Sequence, residues 1–142
     1  MTLILNILDK HKAYWFLADG SVIKHNHNFV LLRGEEKILS ELDSFLKQNN
    51  FDLKNIKNII LLAGDISMTQ IKVVTAMINT LGWQLDIPVS ANFNYQGDFE
   101  TAWHKNSKML EKIKCFVPLQ VEYKHKPNIT ASKKKYDFII SK

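Results

Sequence analysis

The amino-acid sequence predicts an α/β fold whose elements follow the order β-β-β-α-β-α-β around a mixed sheet. Three observations predict it. An Asp19-Gly20 pair between two apolar runs indicates a β-hairpin, because glycine supplies the positive φ that a tight turn requires. Residues 57–63 are apolar on both faces, as in a central parallel strand. Segments 35–49 and 67–85 repeat apolar residues at helical spacing.

The opening strands are predicted from alternation and turn chemistry. Residues 3–8 are apolar on both faces except for Asn6, which predicts a buried strand. Residues 13–18 are rich in aromatic side chains, and residues 21–27 form the returning strand of the hairpin, with a pattern that permits extension to residue 32. Three antiparallel strands therefore open the chain.

The helices are predicted from their apolar stripes and their ends. The first, over 35–49, has acidic residues in its first turn and Lys47 in its last, as the helix dipole favours. The second follows Gly64-Asp65 and cannot continue past Pro88. A short strand over 89–93, a third helix over 98–114 and a strand over 119–123 complete the prediction. The apolar residues of the two main stripes are Ile38, Leu39, Leu42, Phe45, Leu46, Ile71, Val74, Ile78 and Leu81.

Length and composition place the chain among single soluble domains. Its 142 residues are 46% hydrophobic and 23% charged, and a chain of this size can bury one core. Cys115 is the only cysteine, so no intrachain disulfide forms, which favours a reducing compartment. The sequence shows no basic leader and no apolar run of the ~20 residues that a membrane span needs. We predict a cytoplasmic protein without membrane contact, divided into a lobe over 1–115 and a basic tail over 116–142.

The formal charge of +5 comes from 18 lysines and one arginine, Arg33, and much of the excess lies beyond residue 104. Sequence-specific readers of nucleic acid depend on the bidentate arginine fork, which lysine lacks. Two readings of the tail stay open. It is a solvated terminus, or it contacts RNA phosphates through Lys133, Lys134 and Lys135.

The order and spacing of these elements resemble the amino-terminal lobe of the TsaB (YeaZ) family, actin-like proteins with a ribonuclease-H-like fold. The resemblance rests on three segments: the hairpin at Asp19-Gly20, the predicted helix with the sequence ILSELDSFLKQ, and the stretch 55–93. Gly64, Ser67 and Thr69 align in register with the first glycine, the serine and the threonine of the family's glycine-rich turn, whose sequence is GPGSFTGLRIG. The segments 118–123 and 126–130 and the lysine run resemble the family's tail. Most of the second lobe has no counterpart here.

Departures from the family pattern predict that nucleotide binding is lost. The actin-like fold usually presents an aspartate at the position of Asn6, and an amide lacks the anionic oxygen that Mg²⁺ prefers. Ile66 and Gln70 replace two glycines that would let backbone amides approach a phosphate. Asn6, Ile66 and Gln70 therefore disfavour a further possible function, that of an actin-like phosphotransferase. Ser67 and Thr69 are equally well explained as helix caps. We therefore predict a pseudoenzyme without metal or cofactor.

Other candidate chemistry is sparse. His25 and His27 share one strand face, a spacing that serves either a metal or a solvated surface. Cys115 lies near His104 and His125 in sequence, although a buried inert thiol is the ordinary reading. The tryptophans at 15, 83 and 103 fall on apolar faces and are predicted in the core. No pair of acidic residues forms an acid–base motif.

The resemblance implies a scaffold that supports threonylcarbamoylation of adenosine 37 in tRNA. The family's two helices pack against the same helices of a partner, so we expect a homodimer or a heterodimer with a TsaD-type catalytic subunit, and indirect contact with tRNA. The predicted partner-binding residues are Ile38, Leu39, Leu42, Leu46, Ile71, Val74, Ile78 and Leu81. Which side of each helix faces outward stays open, since Val73, Met77 and Thr80 compete with the second stripe.

Overall fold

The computed structural model describes residues 1–31 and 36–121. The described elements follow the predicted order, with a third helix at the end and one short 3₁₀ helix between α1 and β4. Their bounds are β1 Thr2–Asp9, β2 Lys12–Asp19, β3 Val22–Val30, α1 Glu36–Gln48, the 3₁₀ helix Leu53–Asn55, β4 Asn58–Asp65, α2 Met68–Leu85, β5 Val89–Phe93 and α3 Phe99–Glu111.

The five strands form one mixed sheet in the order β3-β2-β1-β4-β5. β1 pairs antiparallel with β2 and parallel with β4, so the first strand of the chain lies at the centre. Gly20 has a φ of +58° in the β2–β3 turn, as the Asp19-Gly20 signal predicts. This antiparallel start followed by parallel crossovers is the predicted mixed α/β topology.

The two faces of the sheet are covered differently. Leu3, Leu5 and Ile7 of β1 point into a core shared with α1 and α2. Ile4 points the other way, into a smaller core that α3 closes with Trp103 and other side chains. Because side chains alternate along a strand, each face has its own apolar set. The helices α1 and α2 therefore share one face, and α3 covers the other.

Helix α1 is attached to the sheet by polar contacts as well as by apolar packing. Trp15 Nε1 donates a hydrogen bond of 3.0 Å to the carbonyl oxygen of Ile38. His27 Nε2 lies 2.6 Å from a carboxylate oxygen of Glu41, and its ring stacks on Phe45. These contacts fix which side of α1 faces the sheet, the question that the sequence left open.

The segment after α3 crosses from one face of the sheet to the other. Asn79 of α2 holds Leu119 at both backbone groups, since Leu119 N donates to Oδ1 over 2.7 Å and Nδ2 donates to Leu119 O over 3.1 Å. Phe116 packs against Gly82 of the same helix. The packing of the lobe thus continues past the predicted boundary at residue 115. Residues 119–121 are not in a strand, and the rest of the predicted strand lies outside the described residues.

Candidate interaction surface

The position expected to hold a metal in an actin-like fold is occupied by Asn6. This residue is 3% exposed, and its Oδ1 has no hydrogen-bond partner among the described residues. The side chain lies beside Tyr95, where burial raises the pKa of the phenol and the Asn6 amide opposes that rise. A neutral buried amide gives Mg²⁺ no anionic ligand. The residues present here do not fit a metal-bound nucleotide.

The nearest carboxylate along β1 is engaged by its own turn. Oδ1 of Asp9 accepts hydrogen bonds from the backbone N–H groups of His11 at 2.8 Å and Lys12 at 3.0 Å. These bonds, that from His11 first, hold the pKa of Asp9 below its ordinary value. The carboxylate therefore shapes the β1–β2 turn, which is a sufficient reason for its presence.

Gly64 has a structural reason to be glycine. A Cβ at this position would lie against the carbonyl oxygen of Leu8 and 3.1 Å from that of Ile7. The parallel strands β1 and β4 approach closely here, and only a residue without a side chain fits. The close packing of β1 and β4 is therefore enough to explain why Gly64 is glycine, without a role in binding phosphate.

Ser67 and Gln70 cap helix α2. The Gln70 N–H donates to Ser67 Oγ over 3.1 Å, and the Ser67 N–H donates to Gln70 Oε1 over 3.0 Å. This reciprocal pair is a capping box. It occupies two backbone amides that a phosphate-binding turn would leave available. Thr69 is exposed and adds nothing to the cap.

Six of the eight predicted partner-binding residues lie inside the lobe, which corrects the surface read from the sequence. None is more than 6% exposed, and all six belong to the described buried core. Helical stripes that face a sheet and stripes that face a partner look alike in sequence, because both are apolar. The six buried residues are Ile38, Leu42, Leu46, Ile71, Val74 and Ile78.

Leu39 and Leu81 remain within reach of a partner. Leu39 is 43% exposed, and Leu81 is half-buried beside it. Both residues line each of two neighbouring recesses, of about 680 and 360 Å³. We call this surface the α1/α2 groove. Its apolar lining from the second helix is Val73, Ala76, Met77 and Leu81, and that from the first helix and the following loop is Leu39, Leu42, Leu46, Phe51 and Leu53.

The polar residues along the groove are mostly engaged. Lys47 and Asp43 form an exposed ion pair of 2.7 Å, and Asp52 caps the 3₁₀ helix by accepting from the Lys54 N–H. The groove therefore presents apolar surface with a rim on which Asp43 is paired with Lys47 and Asp52 is held by a backbone hydrogen bond. Phe51 and Leu53 were missed at the sequence level, because Phe51 lies in the connection after α1 and Leu53 begins a 3₁₀ helix of only three residues, where α-helical periodicity gives no signal.

The remaining sequence candidates have ordinary placements. His27 pairs with Glu41 whereas His25 is exposed, and no three potential metal ligands cluster within residues 1–31 and 36–121. Cys115 is exposed, contrary to the predicted buried thiol. Trp15 and Trp103 are core residues as predicted, but Trp83 is 67% exposed, so that part of the prediction was wrong. Lys133, Lys134 and Lys135 lie outside the described residues.

None of the helices that the structure describes is long and apolar enough to cross a bilayer.

No family model matches the sequence, and no curated protein matches it. Solved structures do match the fold. One is YeaZ from Pseudomonas aeruginosa, with a TM-score of 0.55 at 18% identity over 65% of this chain.

A second match is an uncharacterized Pseudomonas aeruginosa protein described as similar to peptidase YEAZ, with a TM-score of 0.56 at 16% identity over 65% of this chain. The match covers 42% of the length of each of these proteins. At such identities the likeness establishes the fold alone. It agrees with the mixed α/β lobe described above, which spans less than half of the length of these proteins.

Proposed function

We propose that this protein is a non-catalytic scaffold that supports threonylcarbamoylation of adenosine 37 in tRNA, by binding a TsaD-type catalytic subunit through the α1/α2 groove. The observation that carries the proposal is the apolar groove itself. Two helices that already bury one side against the sheet keep a second apolar side uncovered, and such surfaces mark interaction sites.

The chemistry of the other candidate site supports a binding role over a catalytic one. Asn6 is a buried amide, and Ser67 and Gln70 bond to each other. Of the polar residues that the family resemblance pointed to, Ser67 has a structural role within the lobe, whereas Thr69 is exposed. Leu42 and Leu46 of the groove also belong to the core, whereas Leu39 is 43% exposed and is the groove residue best placed to serve a partner.

Leu39 and Met77 are the anchors that we expect to matter most. They line the narrower recess from the two sides, Leu39 from α1 and Met77 from α2. Facing helices of a partner would insert side chains between them, in the manner of ridges packing into grooves. A standard interface buries ~800 Å² per partner, and a few central residues carry most of its energy.

The proposal is tested with Leu39→Asp in the full-length chain. A charge placed at the centre of the groove should weaken binding to the catalytic subunit of the same organism at least tenfold, as measured by calorimetric titration. Val30→Asp is the matched control, because Val30 is 52% exposed on β3, away from the groove. Both variants should unfold within ~0.5 kcal/mol of the parent, since both sites are on the surface.

The same variants separate the two assemblies that the sequence left open. If the groove joins two copies of this chain, Leu39→Asp shifts a dimer to a monomer in sedimentation without any catalytic subunit present. Binding that is unchanged in a folded Leu39→Asp variant, in both assays, would exclude the groove as the interface and remove the basis of the scaffold proposal.

A further inference from the structure

The outer side of α3 carries a row of lysines on the sheet face opposite the α1/α2 groove. Lys105, Lys108 and Lys112 are all exposed. Steps of three and four residues place them on one side of the helix, and a rise of ~1.5 Å per residue makes the row roughly 10 Å long. We call these three residues the α3 lysine row.

The charge of the row is only partly offset by a neighbour, since Glu111 lines the same recess. Among residues 1–31 and 36–121, the ion pairs within 4.0 Å are His27 with Glu41 and Lys47 with Asp43, so no described carboxylate pairs with the row. Lysines three and four positions apart repel each other and destabilise the helix. The helix dipole favours Lys108 and Lys112 near the carboxyl end, but it does not explain Lys105 in the middle.

The row begins the basic third of the chain. Residues 105–142 contain ten lysines and three acidic residues, whereas residues 1–104 contain nine basic and eleven acidic residues. The net positive charge therefore lies from Lys105 onward, and within the described part of this third residues 105–121 contain four lysines and one acidic residue, Glu111. A basic stripe on one face of a domain with little net charge elsewhere is the electrostatic footprint of a polyanion site.

Apolar surface interrupts the lysines. Met109 is 48% exposed, and together with all three lysines and Glu111 it lines a shallow recess of about 490 Å³. A nucleic-acid strand presents the same alternation, with phosphates separated by sugars and bases. A ligand that carries charge alone would leave Met109 in water.

We propose that the α3 lysine row binds the phosphodiester backbone of RNA, without reading base sequence. Lysine is a point charge with rotatable donors, so it neutralises a phosphate but lacks the planar fork that recognises guanine. Binding is therefore non-specific and strongly dependent on salt. The row and the groove lie on opposite sheet faces, so a protein partner and RNA can be bound together.

The test measures binding of a fluorescent RNA hairpin to the full-length chain by anisotropy, from ~50 to ~200 mM salt. The variant is Lys105→Gln/Lys108→Gln/Lys112→Gln, in which glutamine keeps the helix propensity. Each lost phosphate contact should flatten the slope of log K against log salt by about 0.7–0.9, so the triple variant should lose roughly two to three units of slope. A triple Lys→Arg variant keeps the charge and should retain binding.

Two matched variants carry the same change in charge at other places. Lys37→Gln/Lys54→Gln/Lys57→Gln alters exposed lysines away from α3 and should leave the slope nearly unchanged. Lys133→Gln/Lys134→Gln/Lys135→Gln measures the contribution of the tail. The inference holds if the α3 variant loses clearly more slope than the first control, whatever the tail contributes.

Several results would overturn it. One is a parent protein that does not bind the hairpin at ~50 mM salt. Another is an equal loss in the α3 variant and the control with Lys37, Lys54 and Lys57 changed. A third is loss confined to the tail variant, and a fourth is binding to phosphatidylserine vesicles in place of RNA. The α3 variant should still bind the catalytic subunit, so failure here leaves the groove proposal standing.

Discussion

Two regions of the lobe are candidates for a functional site: the end of the sheet near Asn6 and α2, and the outer side of α1 and α2. They differ in what their residues do for the fold. At the first, Gly64 admits the backbone of β1, and Ser67 and Gln70 cap a helix. At the second, Leu39 is 43% exposed and its side chain borders two recesses.

This difference teaches how to separate structural residues from functional ones within a family pattern. A residue that matches a binding motif and also has a structural role gives no evidence of the ligand. A large apolar residue that is exposed beside an apolar recess is evidence for a binding partner, because exposure of such a side chain to water is unfavourable. Substitutions at the two regions should therefore affect different measurements.

The largest loss of stability is expected for Val74→Asp. If this variant instead stayed folded and lost only partner binding, the distinction between core and groove residues would be wrong. Val74 is 1% exposed between α2 and the sheet, so the new carboxylate would be buried without a partner. We expect a loss of more than ~4 kcal/mol in the free energy of unfolding, seen in a urea titration. A folded Val74→Asp protein with impaired partner binding would place this residue on the surface instead.

Gly64→Ala tests the structural role of the retained glycine. The new methyl group would press on the Leu8 carbonyl oxygen in β1, and overpacking of this kind costs about 1–3 kcal/mol. Gly20→Ala is the control for backbone conformation alone, since Gly20 has a φ of +58° and no atom within 4 Å of an added Cβ. If Gly64→Ala were as stable as the parent, packing would not explain this glycine, and a role in ligand binding would be favoured.

Ser67→Ala should have the smallest of these effects. Removing the hydroxyl that accepts from the Gln70 N–H should cost about 1 kcal/mol, the usual value for a helix cap. Thr69→Ala, two residues later and exposed, should change the midpoint of thermal unfolding hardly at all. A larger loss for Thr69→Ala than for Ser67→Ala would contradict the capping assignment.

Most of the fold could be predicted from the sequence because its signals are local. The predicted strand 89–93 coincides with β5, and the other strands and helices agree to within a few residues at each end, except the predicted strand 119–123, whose residues 119–121 are not in a strand. The crossing segment could not be predicted in this way. Asn79 and Leu119 are 40 residues apart, and a single asparagine on a helix carries no signal for a bond to distant backbone.

The candidate surface was less predictable than the fold. The sequence identified the two helices correctly but assigned Ile38 and Val74 to the partner side, whereas both are buried against the sheet. Periodicity locates an apolar stripe but does not say what covers it. The contact of Trp15 with the Ile38 carbonyl decides the matter, and that contact depends on tertiary structure.

The central place of β1 sets an order for synthesis and folding. β1, β2 and β3 leave the ribosome first and can pair as local hairpins, but the other edge of β1 waits for β4, whose register joins Thr2 to Asn58. Until then an apolar strand edge stays open, the kind of edge that recruits other chains. A nascent chain that ends before β4 should therefore depend on chaperones, and release of that dependence should coincide with the emergence of residues 58–65.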